Sequence, residues 1–472
     1  MKVIKFGGTS VANPDSLSLV IEIIKRSDEK QLVVVSALSG VTDLLSEMAK
    51  KASNSEINYK EFLNIIEQRH KVLIDHFIPV TKQSEIISFL KAQINELEDI
   101  LDSLFKLNEL TSKSNSKILS FGEILSSNII FKILKYNGND ITFKDSREII
   151  FKKTVNNREV VDDFLSKKKT LSFLKKNKHK IALFPGFIAS DVEGNTLTLG
   201  RGGSDLTASL LANYSDASQL DIWSDVSGMF TANPKLVSQA TPIRKLSYQE
   251  AMELSHFGAK VIYPPTLQPL IEKGIPIYIK NTFDSNARGT RIDSKGSKKS
   301  DGQIVKGVSH IENVALVSLE GSGMIGIPGF SKRLFQTLSD KQINIIMITQ
   351  ASSEHSICIG VKSEDADLSK KLIDENFALE INLQKVEPAK IEKNMTNIAI
   401  VGDKMKEHQG ISGKLFSSLG ANNINIRAIA QGASERNISI LIDKINTQKA
   451  LNTIHESFFE EQIKELNLFV TG

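Results

Sequence analysis

A single cysteine, Cys358, in 472 residues excludes an intrachain disulfide framework and any zinc site built on several thiolates. That scarcity fits a reducing cytoplasm, which is the expected location. No apolar run approaches the roughly 18 residues of a membrane span. Glycines interrupt the opening MKVIKFGGTS before the apolar core of a secretion signal can form. The eight histidines lie scattered without ligand spacing, so no protein-borne metal site is expected. No Ser-His-Asp or Cys-His set offers itself for nucleophilic catalysis. What is present is ordinary for a chain with ample core: 40% hydrophobic and 24% charged residues, enough length for two to four domains at about 100–200 residues each. The net charge of +4 is concentrated in residues 151–180, where ten Lys/Arg face three Asp/Glu. No aromatic or glycine-arginine pattern accompanies that segment, so it reads as a solvated face, and no nucleic-acid partner is expected.

Periodicity predicts an α/β organisation. Lys2–Phe6 reads as a strand, Gly7–Ser10 as a turn, and Asn13-Pro14 as a capped helix start with Asp15 in the first turn. Further strands are expected at 32–35, 181–184 and 220–223, each followed by helix. Residues 55–135 are mostly helical, with a polar break at 111–117. Alternating strands and helices predict a largely parallel sheet covered on both faces. Residues 293–302 (DSKGSKKSDG) read as a linker. Beyond them lies an internal repeat: 313–357 aligns without gaps on 394–438, an offset of 81 residues, with 16 of 45 positions identical. Each copy reads strand, glycine turn, helix, strand, turn, strand. The expected division is 1–292, 303–390 and 391–472. The last segment carries a terminal strand and is open to being intertwined with the one before it.

Three glycine-rich segments compete for chemistry. Gly321-Ser-Gly-Met-Ile-Gly326 matches a dinucleotide fingerprint, but the following strand at 343–349 ends without an acidic residue for a ribose. Its repeat copy at Gly402 also lacks the fingerprint glycines, so this segment is read as a decoy. Lys5-Phe-Gly-Gly-Thr-Ser10 sets a lysine at a strand end before a tight turn whose N–H groups can approach phosphates. Leu199-Gly-Arg-Gly-Gly-Ser-Asp205 puts an arginine beside the N-terminus of a helix over 206–213. Neither has Walker A spacing. Singly each serves a turn; two in one domain, each with a cation, point to phosphate chemistry.

With KFGGTSVANPDS (5–16), SALSGVTD (36–43), SFGE (120–123), LGRGGSD (199–205), WSDVSGMFTANP (223–234) and FGAKVIYP (257–264), the sequence resembles the aspartate kinases along essentially its whole length. The tandem repeat resembles their paired ACT regulatory modules. ITQASSE, IAQGASER and YQEAMELSHFGAK come closest to the kinase half of bifunctional aspartate kinase–homoserine dehydrogenases. The resemblance implies an amino-acid-kinase fold, a parallel-rich sheet sandwiched by helices, followed by two ACT-type ferredoxin-like modules. It implies transfer of the ATP γ-phosphoryl group to the side-chain carboxylate of L-aspartate, giving 4-phospho-L-aspartate, the first step toward lysine, threonine and methionine. A carboxylate is already ionised at neutral pH, so such a site needs positioning and cationic stabilisation rather than a general base. Rival readings are another amino-acid kinase, or a silent amino-acid sensor using only the repeats.

Carried over residue by residue, Lys5 and Asp205 are the expected catalytic pair, with Gly7 and Gly8 amides on the phosphates. Thr42, Glu123, Arg201, Gly202, Gly203 and Ser204 match substrate-binding positions. Ser224, Asp225, Phe230, Lys235, Lys260 and Val261 match nucleotide-binding positions, and Mg²⁺ is implied with ATP, held largely by phosphate oxygens and water. Phe230 stands where the family usually has Tyr, Asn233 and Lys235 where it has Asp and Arg, and Tyr263 where His is frequent. Gln350 and Gln431 occupy the same place in the two repeats and are the expected effector residues, threonine being favoured over lysine. Pairing of ACT modules implies a homodimer or larger assembly. Residues 466–472 read as a strand that, in the bifunctional enzymes, opens the dehydrogenase, so the chain is expected to be a fragment of a longer protein.

Overall fold

The computed structural model describes residues 1–156, 158–257, 262–296, 303–350 and 355–460. Residues 461–472, and with them the expected terminal strand, lie outside that set. The described chain divides into two compact units. The first comprises 1–229, 242–248 and 262–296, and the second 230–241, 249–257 and 303–460.

In the first unit, β1 (Lys2–Phe6), α1 (Pro14–Lys25) and β2 (Gln31–Val35) form the opening crossover. The Asn13 side chain accepts from the Ser16 N–H at 2.9 Å, and Pro14 occupies the first helical position, as expected. Four helices follow: α2 (Val41–Ser53), α3 (Lys60–Phe77), α4 (Ser84–Leu107) and α5 (Ser112–Tyr136). The polar break expected at 111–117 is shorter than that. Thr111 accepts from the Ser114 N–H and caps α5, so its polar residues open a helix rather than separate two. The chain continues through β3 (Ile141–Phe143), a hairpin of β4 (Lys152–Val155) and β5 (Arg158–Val161), α6 (Asp163–Lys176) and β6 (Ile181–Pro185). A second hairpin, β7 (Ile188–Ser190) and β8 (Thr196–Thr198), leads to α7 (Gly203–Tyr214) and β9 (Leu220–Ser224). Then come β10 (Lys245–Ser247), α8 (Tyr248–His256), whose residues from 249 on belong to the second unit, α9 (Gln268–Ile271), β11 (Ile277–Asn281) and β12 (Thr290–Asp293). Among the described residues one eight-stranded sheet runs β10-β12-β11-β9-β1-β2-β6-β3, parallel except at β11/β12. Asp293, read as the start of a linker, is instead buried at the end of β12, where it pairs with Arg291 and accepts from the Lys295 and Gly296 N–H groups.

Helix α5 packs on β2, β3 and β6, while α7 packs on β1, β2 and β9. Ile4 and Phe6 of β1 join the α5-side core with Val33, Val35, Phe121 and Leu125. Strand alternation therefore turns Lys5 to the α7 side. The chain goes from β1 to β2 on one flank and reaches β9 on the other. The carboxyl ends of β1, β2 and β9 thus frame the crevice where open α/β sheets bind ligands.

The second unit holds β13 (Gly307–Glu320), α10 (Phe330–Ser339), β14 (Ile345–Gln350), β15 (Ser356–Lys362), α11 (Ala366–Asn376) and α12 (Ala378–Asn382). The second copy supplies β16 (Lys390–Val401), α13 (Ile411–Ala421), β17 (Ile426–Gln431), β18 (Asn437–Asp443) and α14 (Thr447–His455). These strands make one antiparallel sheet, β14-β15-β13-β16-β18-β17. The two long strands each serve both copies. Gly307–Ile311 of β13 pairs with the second copy's half of β16, whereas Lys390–Glu392 of β16 pairs with the first copy's half of β13. Asn313 and Asn394, equivalent in the repeat, both take φ +59° at the change of partner.

The fingerprint-like glycines at 321–326 have a packing reason. The Gly321 N–H donates to the His355 carbonyl and the Gly323 N–H to the Lys385 carbonyl, both at 2.9 Å. A Cβ on Gly321 would fall on the Lys385 carbonyl oxygen and Val386 Cα. Gly321→Ala is therefore expected to lower the unfolding free energy by about 2 kcal/mol or more in urea denaturation. A change below about 0.5 kcal/mol would contradict this packing role.

Candidate active site

Lys5, the penultimate residue of β1, has only 9% of its surface exposed, and its Nζ lies 2.6 Å from Asp205 Oδ1. Asp205 sits in the first turn of α7, whose N-terminus is opened by Gly200 and Gly202, both at positive φ. A carboxylate there is favoured by the helix dipole as well as by the lysine. The two glycine segments singled out in the sequence thus meet through one buried ion pair.

Glu123 approaches from the opposite helix layer, on α5, and is 3% exposed. Burial pushes its carboxyl up to about 8, against the counteracting pull of the Ala37 and Glu123 N–H groups and the charge of Lys5. Its Oε2 has no hydrogen-bond partner. A buried carboxyl oxygen without a partner is a costly arrangement, and a ligand's ammonium group would both satisfy it and favour its ionised form. The loop 36–40 is fixed between these groups: Ser36 N–H donates to Phe6 O, Ser39 N–H to Gly8 O at 3.1 Å, and Ser126 Oγ to Ser36 O at 2.8 Å. Thr42, half-buried, lies in the first turn of α2 directly after that loop.

Arg201 is exposed, in ion pair with no carboxylate among the described residues, and its guanidinium lies 5.8 Å from the Tyr263 ring centre. Tyr263 also packs on the turn itself, since a Cβ on Gly202 would fall 2.6 Å from Tyr263 Cβ. The departure from His at 263 therefore gives Arg201 an aromatic shelf. Ser204 is buried beside Gly186, and Gly203 beside Phe187.

One expectation is corrected. The Gly7 N–H donates to the Trp223 carbonyl at 3.0 Å, so that amide is committed to the sheet and does not face a phosphate. Gly8 and Thr9 open the 3-10 turn Gly8–Val11, and their N–H groups have no intrahelical acceptor. Ser224 Oγ and Trp223 Nε1 are buried without partners at the end of β9, while Asp225 is exposed just beyond. Phe230 and Lys235 do not join this group within the first unit. They lie on the stretch 230–241, which belongs to the second unit through Val308 N–H to Thr231 O, Thr231 Oγ1 to His455 Nε2 and the burial of Ala232 and Val237 in the core of the second repeat. Lys260 and Val261 lie outside the described residues.

Gln350 and Gln431 end β14 and β17, both exposed. Gln431 lines a cleft of about 120 Å³ with Ser412, Glu435 and the first turn of α13. Two residues escaped the sequence reading. Phe187 holds φ +66°, a left-handed conformation rare for a bulky residue, with its N–H donating to Thr207 Oγ1 and its carbonyl accepting from Leu199 N–H. The Gly-Phe pair at a strand end was its only trace. Thr282, hydrogen-bonded to Ser10, has no motif at all.

The profile of the amino acid kinase family matches residues 1–281, and that of the ACT domain matches 317–377 and 398–458. Bifunctional aspartokinase/homoserine dehydrogenase 1 of Arabidopsis thaliana is 34% identical over 461 residues, which cover 96% of this chain and 50% of that protein. The chain thus spans about half the length of such bifunctional relatives. Lysine-sensitive aspartokinase 3 of Escherichia coli is 29% identical, with 97% of this chain and 99% of that protein covered. The crystal structure of E. coli aspartokinase III with aspartate and ADP superposes with a TM-score of 0.83 at 26% identity, covering 97% of this chain and 100% of that one. From its kinase fold and the two repeats behind it, the chain belongs to the amino acid kinase family and carries ACT domains.

Proposed function

We propose that the protein is an aspartate kinase, moving the γ-phosphoryl group of ATP to the side-chain carboxylate of L-aspartate, under feedback by an amino acid bound at its ACT repeats. The observation that carries this reading is the buried Lys5–Asp205 pair within electrostatic reach of the Glu123 carboxyl, whose Oε2 has no hydrogen-bond partner.

The problem such a reaction poses is an anion approaching a polyanion. Lys5 supplies a desolvated positive charge for the phosphoryl group in transfer, and Asp205 holds that charge in place. Gly8 and Thr9 offer backbone donors to the phosphates, and Ser224 a hydroxyl to the nucleotide. Glu123 receives the α-ammonium of aspartate, Arg201 on its aromatic shelf takes a carboxylate in a two-pronged contact, and Thr42 and Ser204 complete the cradle. Mg²⁺ would arrive with the nucleotide, held largely by phosphate oxygens and water. Threonine is favoured as effector, because Gln431 presents both a donor and an acceptor to a small cleft that also holds Ser412. The edge strands β14 and β17 support assembly through the repeats.

Coupled measurement of ADP release with L-aspartate is expected to show turnover that Lys5→Ala reduces by about a thousand-fold. Equal rates in both proteins would overturn the kinase reading and favour an amino-acid sensor. For Glu123 the sign of the pH effect is fixed by its raised value. Stabilisation from holding the carboxyl neutral is complete below about 4.5 and lost as pH rises through about 8. Glu123→Gln stays neutral throughout, so it is expected to be more stable than the parent above pH 8, by on the order of a few kcal/mol, and equal at pH 4. The same variant is expected to lose saturation by aspartate; denaturation curves at the two pH values and the KM check both. Isothermal titration is expected to detect threonine binding that Gln431→Ala abolishes; heat from lysine alone would refute that effector.

A further inference from the structure

The end of β9 is tied to the turn after β1 by more than the sheet. The Trp223 carbonyl receives the Gly7 N–H at 3.0 Å and also the Ser10 hydroxyl at 3.4 Å. Ser10 Oγ lies 2.7 Å from Thr282 Oγ1, just past β11, and the Thr282 N–H donates to the Ser224 carbonyl at 2.8 Å. With the Ser10 proton on Trp223, the Thr282 hydroxyl donates to Ser10. Ser10 is fully buried and Thr282 only 1% exposed. The relay therefore runs out of water, where an unmade hydrogen bond is most costly. Every group it touches borders a residue already placed at the nucleotide: Gly8 and Thr9 on one side, Ser224 on the other.

We propose that Ser10 and Thr282 are positioning residues for the nucleotide. Their hydroxyl pair sets the Gly8–Thr9 donors against the Ser224 end of β9, without touching the ligand. The inference rests on the reading of this site as a kinase nucleotide site. Phosphoryl transfer depends on placement to a fraction of an ångström. Side-chain hydroxyls are needed here because β1 and β11 are not neighbours in the sheet but flank β9 on either side. No backbone ladder bond joins residues 8–10 to residue 282.

The chain's one tryptophan gives a direct readout. Its ring stacks on Phe6 at 6.4 Å and lies 5.3 Å from Lys280 Nζ, so its fluorescence reports on the same strand end. The experiment compares the unmodified protein with Thr282→Val, which keeps shape and removes the hydroxyl, and Thr282→Ser, which keeps the hydroxyl. Titration with MgADP by tryptophan fluorescence is expected to show about ten-fold weaker binding for Thr282→Val and near-parent binding for Thr282→Ser. KM for ATP rises in parallel, while KM for aspartate stays within about two-fold. Ser10→Ala is expected to match Thr282→Val, and the double variant to be no worse than either single one. Equal MgADP affinity in the Val and Ser variants overturns the proposal. So does an equal rise in both KM values, which is what general loosening would produce. If Thr282→Val does not fold, Ser10→Ala decides by the same criteria. Failure of the unmodified protein to bind MgADP or phosphorylate aspartate overturns the kinase reading instead.

Discussion

A lysine placed at the end of a buried parallel strand must be neutralised, and the way Lys5 is neutralised organises the first unit. The partner has to come from the helix layer on the same side of the sheet, and α7 supplies it in its first turn, where a carboxylate is also favoured by the helix dipole. That demand draws the Gly200–Gly203 turn onto the strand ends and carries Arg201 with it. The opposite helix layer brings Glu123 to the same crevice, buried and one hydrogen bond short. Two carboxylates near one lysine thus have opposite circumstances. Asp205 is satisfied by charge, while burial holds the Glu123 carboxyl toward its neutral form.

Much of this was legible because turn and cap chemistry is local. Asn13-Pro14 starts a helix wherever it occurs in such a context, and the glycines at 7–8 and 200–203 announce turns before any partner is known. Lys5, Asp205 and Glu123 were found through motifs, and their proximity is a result of strand order, which no single segment encodes. The Gly7 amide was misread for that reason: its acceptor, the Trp223 carbonyl, is 216 residues away in sequence. Thr282 and Phe187 were missed because a hydroxyl in a strand end and a backbone in the left-handed region leave no pattern in composition or periodicity. The polar stretch after Thr111 misled in another way, since serines and lysines that open a helix look like those of a loop until the cap is seen.

The Gly321–Gly326 segment shows how one sequence pattern can arise from two different physical needs. In a dinucleotide site the glycines admit a pyrophosphate; here they admit the backbone at Lys385 and Val386. Close approach is the common requirement, and only the identity of the approaching group separates the cases. The repeat supplied the discriminating fact, because its second copy keeps the turn while losing the pattern.

The strands β13 and β16 each lend one half to either copy of the repeat, with Asn313 and Asn394 marking the exchange. A cut between the copies would split the one six-stranded sheet and leave each half with a long ribbon of unmatched backbone. Neither copy is therefore a self-contained sheet module. Unfolding of one must strip hydrogen bonds from the other, so the pair is a single cooperative body built from two similar sequences.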